Sequence, residues 1–169
     1  MYKGTGASPG IALGRALVIE HSELVIEKKT IENIDKEIQK LESAVKVSKE
    51  ELTKVKEKAL DELGEHEAEI FEAHLLVLED PELIGSAISK IRDEKVNADY
   101  ALNEIKEMFV AMFESMDNEY MRERAADIKD VTNRVLRHIL GIKVVDLAGL
   151  DEEVVLIAHD LTPSDTATM

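Results

Sequence analysis

Hydrophobic positions fall into three regimes along the chain. From about Ile31 to Leu63, the residues Ile31, Ile34, Ile38, Leu41, Val45, Ser48, Leu52, Val55 and Ala59 recur at alternating spacings of three and four. This is a heptad seam on one face of a long helix, broken only by Ser48. Such a seam needs an apolar partner. Helical patterns follow at once, so the predicted partner is internal and antiparallel. Gly64 ends the helix. From Glu65 to Glu79, Ile70, Phe71, Ala73, Leu75, Leu76, Val77 and Leu78 make a second helix apolar on more than one side. It is either central in a bundle or exposes an apolar strip to a partner. Asp80-Pro81-Glu82 restarts a helix, with Asp80 as cap, Pro81 in the first position and Glu82 at the positive end of the dipole. That short helix turns Ile84, Ala87, Ile88 and Ile91 to one side. A third long helix is predicted from near Asn97, with Ala101, Leu102, Ile105, Phe109, Met112, Phe113 and Met116 as its apolar positions. A fourth runs from about Glu119 to Leu140, with Ala125, Ile128, Val135 and Ile139 inward, and Gly141 stops it.

The ends of the chain read differently. Residues 1–20 are rich in glycine and small residues and lead into Arg15-Ala16-Leu17-Val18-Ile19, a strand after a turn. Strand-like composition returns at Val154-Val155-Leu156-Ile157-Ala158. The two ends are expected to share one α/β layer into which the helical section is inserted. The predicted fold is therefore mainly α, an antiparallel helical bundle of four main helices and one short one. No repeat or low-complexity tract interrupts it.

Composition narrows the partners. The 169 residues carry a net charge of −15, which disfavours nucleic acid and anionic lipid, because both need a Lys/Arg surface. A basic protein partner or simply a well-solvated surface is favoured. There is no cysteine, so disulfides and thiolate metal sites are excluded, and the count is compatible with a reducing cytoplasm. No secretory signal or run of 18 apolar residues occurs, so no membrane span is expected.

Candidate chemistry is sparse. Gly4-Thr5-Gly6-Ala7-Ser8-Pro9-Gly10 lacks the Gly-Lys-Ser/Thr ending of a phosphate loop, and Pro9 removes an amide donor, so it reads as a tight turn. His74 lies on an Ile70–His74–Val77 stripe and reads more readily as a packed histidine than a catalytic one. His66 and His138 sit near helix ends and read as surface residues; His21 and His159 are in connections. No clustered ligand set suggests a metal. Arg124 and Asp127, one turn apart, can form a local pair. Leu161-Thr162-Pro163-Ser164-Asp165-Thr166 is a helix start, with Thr162 as cap, Pro163 first and Asp165 returning the bond. It is either a plain cap or an anion-holding turn.

Four stretches together resemble Enzyme I, the phosphoenolpyruvate–protein phosphotransferase of the bacterial sugar phosphotransferase system. They are Gly6-Ala7-Ser8-Pro9-Gly10-Ile11-Ala12-x-Gly14, Ile70-Phe71-Glu72-Ala73-His74-x-x-x-Leu78-Glu79-Asp80, Glu119-Tyr120-x-x-Glu123-Arg124-Ala125-Ala126-Asp127, and Asp160-Leu161-Thr162-Pro163-Ser164-x-Thr166-Ala167. The first and last also resemble the wider group of phosphoenolpyruvate-using phosphohistidine domains, which includes pyruvate-phosphate-dikinase-like enzymes. The resemblance implies a helical subdomain over 21–143 that binds the phosphocarrier protein HPr. It also implies an incomplete phosphohistidine α/β subdomain from 1–20 and 144–169. For carrier docking it points to Glu65, Glu72, His74, Val77, Asp80, Leu83, Phe113, Met121 and Arg124. His66 stands where the family commonly has an acidic residue, and Val77 and Phe113 stand where leucine is common. Thr166 matches the threonine that supports the active histidine. That histidine is expected beyond Met169, so this chain alone is expected to be inactive. No cofactor is expected in this chain; magnesium and homodimerisation are expected of the complete enzyme, in the cytoplasm. The competing expectation is a non-catalytic helical-bundle interaction module unrelated to phosphotransfer.

Overall fold

The structure, a computed structural model, describes residues 8–19, 24–62, 64–142, 153–158 and 161. In chain order it contains β1 (Arg15–Ile19), α1 (Ile34–Glu62), α2 (Glu65–Glu79), α3 (Pro81–Glu94), α4 (Ala98–Glu114), α5 (Glu119–Leu140) and β2 (Val154–Ala158). The heptad seam is buried within the chain. Ile38, Leu41, Val45, Ser48, Leu52, Val55 and Ala59 are all buried on α1, which packs against α2 and α5. Each buried leucine or isoleucine contributes about 2 kcal/mol by leaving water, so burial of this face, rather than helix propensity, holds α1 in place.

Helix α1 begins three residues later than its apolar pattern. The Ile31 amide donates to the Lys95 carbonyl at 2.9 Å, and Thr30 bridges Val96 in antiparallel fashion. Those bonds hold 30–31 extended, so the helix starts after Asn33, whose side-chain oxygen accepts from the Lys36 amide at 2.9 Å. The segment before α1 is fastened by Asn97 as well. Its Oδ1 accepts from the Lys29 amide at 2.7 Å, and its Nδ2 donates to the Glu27 carbonyl at 2.9 Å.

Between α2 and α3 there is one residue. Asp80 is extended (φ −66, ψ 114), ends α2, and accepts the Glu82 amide at 2.8 Å to cap α3. Gly64 (φ 115) precedes α2 and Gly141 (φ 68) closes α5, both in the region open to glycine. The amides of Gly141 and Ile142 satisfy the His138 and Arg137 carbonyls, which is the Schellman closure the sequence signalled.

Helix α5 buries Ala125, Ile128, Val135 and Ile139 as predicted, and Val131, Thr132 and Leu136 besides. Helix α4 departs from its pattern at its end. Ala101, Leu102, Ile105 and Val110 are buried, while Met112 is exposed, and the helix ends at Glu114, before the exposed Met116. His138 is not a free surface residue. Its Nε2 meets Glu51 Oε2 on α1 at 3.0 Å, and Arg134 Nη1 donates to the same oxygen at 2.9 Å.

The two end strands pair, parallel and in register from Arg15↔Val154 to Ile19↔Ala158. A parallel pair needs a crossover connection, and here the whole helical section lies within it. Gly14 leads into β1 where an added Cβ would stand 3.4 Å from the Glu153 carbonyl, a close backbone approach suited to glycine.

Candidate docking surface

Helices α2, α3, α4 and α5 meet around a cavity of about 330 Å³. Its walls are apolar: Leu76 and Val77 come from α2, Leu83 from α3, Phe109 and Phe113 from α4, and Met121 and Ile128 from α5. Asp80, Tyr120 and Arg124 supply the polar groups. Local sequence explains each wall. Because α2 is apolar on more than one side, Leu76 stays 60% exposed at the rim after Phe71 and Leu78 have gone to the core. The outward turn of the α4 stripe brings Phe109 and Phe113 to the cavity rather than to the bundle centre.

Six of the residues named from the sequence, Val77, Asp80, Leu83, Phe113, Met121 and Arg124, line this one cavity. Glu65 and Glu72 do not line it. They are exposed and, at spacings of eleven and four from Leu76, share its stripe on α2. Glu72 Oε2 pairs with Lys56 Nζ at 3.1 Å. Exposed pairs of this kind contribute about 0–1 kcal/mol, so Glu72 can change partners at little cost. Two of the named residues lie beneath the surface rather than on it: Leu83, 1% exposed, is the core-side wall of the cavity, and His74, also 1% exposed, is on the inner side of α2 and does not line the cavity. Thr166 lies outside the described residues.

Arg124 is held from two sides. Its Nε and Nη2 donate to the Tyr120 hydroxyl at 3.2 and 2.6 Å, with the guanidinium 5.0 Å above the Tyr120 ring centre. Its Nη1 lies 3.6 Å from Asp127 Oδ2, the local pair that the spacing allowed. Asp127 Oδ1 in turn faces His74 Nε2 at 3.3 Å. Tyr120, Leu76 and Asp127 were not singled out as site residues by sequence. Tyr120 and Asp127 nevertheless stand in the Glu119–Asp127 motif, at one helical turn on either side of Arg124, which is the signal that marks them. Among the described residues no group of three potential ligands is placed to hold a metal, and no helix is long and apolar enough to cross a membrane.

The inserted helical bundle is that of an amino-terminal module of phosphoenolpyruvate-using enzymes, as comparison with known proteins shows. Residues 3–124 match the family described as PEP-utilising enzyme, N-terminal, and the chain belongs to that family. It is 56% identical over 167 residues to the phosphoenolpyruvate-protein phosphotransferase of Priestia megaterium, and 54% identical to that of Bacillus subtilis (strain 168). Each alignment covers 99% of this chain and 29% of the relative, so the chain spans under a third of those proteins. Among solved structures it is similar to an NMR solution structure of Enzyme I (nEIt), with TM-score 0.90 and 49% identity. That match covers 100% of this chain and 69% of the other. The N-terminal domain of Enzyme 1 – Nitrogen matches with TM-score 0.73 at 21% identity, over 96% of this chain and 67% of that one, a likeness of fold.

Proposed function

We propose that this chain docks the phosphocarrier HPr in phosphoenolpyruvate-dependent sugar phosphotransfer. The single observation that carries the reading is the convergence of Val77, Leu83, Phe113, Met121, Asp80 and Arg124, all implied by the resemblance to Enzyme I, on one cavity although they come from four helices and the joint at Asp80. In this reading 21–143 is the carrier-binding subdomain, and 1–20 with 144–169 contribute to a phosphohistidine subdomain. The complete enzyme moves phosphate from phosphoenolpyruvate to its own histidine and on to a histidine of HPr. Magnesium and dimer formation belong to parts of the complete enzyme outside this chain, and the setting is the cytoplasm.

The chemistry of the face supports such a partner. An apolar cavity takes apolar side chains from the carrier, and it is there that a few residues supply most of the binding energy. The carboxylates of Asp80, Glu72 and Glu65, on a chain of net charge −15, steer a basic face toward it. Arg124 donates to carbonyl or carboxylate oxygens of the partner. The family membership disfavours an interaction module unrelated to phosphotransfer.

Titration of isotope-labelled chain with HPr tests the proposal. The resonances of the cavity residues should move, and added salt should slow association. Leu76→Asp, on the exposed rim of the cavity, or Arg124→Ala should weaken binding by about 1–3 kcal/mol without unfolding the bundle. Unchanged affinity in both variants would show that the surface is misplaced.

A further inference from the structure

We propose that His74 is a positioning residue for the docking surface, acting through Asp127 on Arg124. The inference rests on the docking reading above and changes the role of one residue within it. At 1% exposure His74 cannot touch a partner. Its ring stands edge-on to Phe71, with centroids 5.8 Å apart and an interplanar angle of 86°, which fixes the plane of the imidazole. Nε2 then points across to α5, 3.3 Å from Asp127 Oδ1. A carboxylate only accepts, so Nε2 carries the proton of that bond. On the other side Nδ1 is 3.8 Å from Asp130 Oδ2 and has no hydrogen-bond partner in the structure.

The two oxygens of Asp127 are therefore divided. Oδ1 is turned inward to the buried imidazole and Oδ2 outward, 3.6 Å from Arg124 Nη1. A continuous polar chain runs from a core residue of α2, through Asp127, to the guanidinium on the cavity wall, and ends on the Tyr120 hydroxyl. Without the histidine, Arg124 and Asp127 are an i,i+3 pair on one helix, and such pairs contribute only a few tenths of a kcal/mol. The bonds to the Tyr120 hydroxyl hold the other side, but Tyr120 is itself 54% exposed, so neither contact alone ties the long side chain to the core against its conformational entropy. With the histidine, one end of the pair is anchored in the close-packed interior, where rotamers do not drift. The guanidinium is thereby presented to the partner in a preset orientation, which lowers the ordering cost of binding.

A double-mutant cycle on this chain, with HPr as the probe, separates positioning from packing. His74→Leu keeps an apolar filler and removes the bond; it should weaken HPr binding by about tenfold. His74→Gln places an amide N–H near the same point and should bind within about threefold of the parent. Asp127→Asn cuts the chain at its centre and should match His74→Leu. In an Arg124→Ala background, His74→Leu should cause no further loss. The Arg124 Nε–H resonance should shift alike in His74→Leu and Asp127→Asn, a signature that a packing defect elsewhere would not produce. If His74→Leu fails to fold, Asp127→Asn is read by the same criteria. Affinity unchanged in these variants while Arg124→Ala weakens binding overturns the positioning role and leaves the docking reading standing. An additive loss in the Arg124→Ala background also overturns it. Unchanged binding in Arg124→Ala itself overturns this inference, and removes the docking reading as well only if the cavity-rim variant Leu76→Asp also binds HPr unchanged.

Discussion

At the scale of single residues, two side chains do work that their neighbours do not. Ser48 is the one polar member of the α1 seam, fully buried, and its hydroxyl has no hydrogen-bond partner in the structure. A buried unsatisfied hydroxyl costs about 1–3 kcal/mol. Ser48→Ala removes the hydroxyl with almost no change of volume, so it is expected to stabilise the chain by about 1 kcal/mol, read as a rise in the urea midpoint at unchanged slope. A lower midpoint would mean that the hydroxyl is satisfied in solution. Asp80 combines two tasks, a cap for α3 and a carboxylate on the cavity. Asparagine caps about as well as aspartate, while alanine loses about 1 kcal/mol. Asp80→Asn should therefore keep its thermal midpoint and weaken HPr binding, whereas Asp80→Ala should lose both. Equal loss of stability in the two variants would refute the division of roles.

At the scale of elements, what was legible in the sequence is what local signals decide. The bounds of α2 and α5 follow from their caps: Gly64 and Asp80 around α2, and Gly141 after α5. What was not legible depends on distant contacts. Helix α3 ends at Lys95 in the left-handed region (φ 52), with no glycine to announce it. The Lys95 carbonyl there receives the Ile31 amide, and Val96 bridges Thr30, so the turn and the late start of α1 are set together. The docking face shows the same split. The resemblance pointed to six of its lining residues, but α2 is apolar on more than one side, and its period alone does not say that His74 faces α5. Around that same turn, Glu94 accepts from Lys90 at 2.7 Å and from Lys28 at 3.1 Å. The bond from Lys90, then that from Lys28, holds the Glu94 carboxyl below the usual carboxylate range, and the Glu94 bond raises Lys90. Because the folded carboxyl is the stronger acid, its share of stability is present above the unfolded carboxyl's range and is lost as pH falls through the folded value. Urea midpoints taken from about pH 6 down to about pH 3 should fall less steeply for Glu94→Gln than for the parent. Parallel curves would show that the cluster makes no contribution.

At the scale of the molecule, the helical section lies between two strands that pair with each other, β1 and β2. The described histidines stand away from phosphotransfer chemistry, which needs a nucleophilic nitrogen and anion-stabilising donors beside it. His66 is exposed near Glu69, His74 is buried against Asp127, and His138 meets Glu51. Each ring is engaged by a carboxylate of its own chain, and His74 is also closed off by burial. Mixing the chain with phosphoenolpyruvate, magnesium and HPr is therefore expected to leave it without acid-labile phosphate. Label mapped to His66, His74 or His138 would refute this account.

The one-residue joint at Asp80 has a thermodynamic consequence for association. Val77 and Leu83 face one cavity from either side of it, and Pro81 confines the joint to extended geometry while its carboxylate fastens the next helix. The angle between the two walls is thus fixed in the free protein. Little of the binding free energy goes into shaping the surface, and encounter is not gated by rearrangement. Calorimetry with HPr should accordingly show a heat-capacity change no larger than the apolar area covered requires, with no added component from coupled folding.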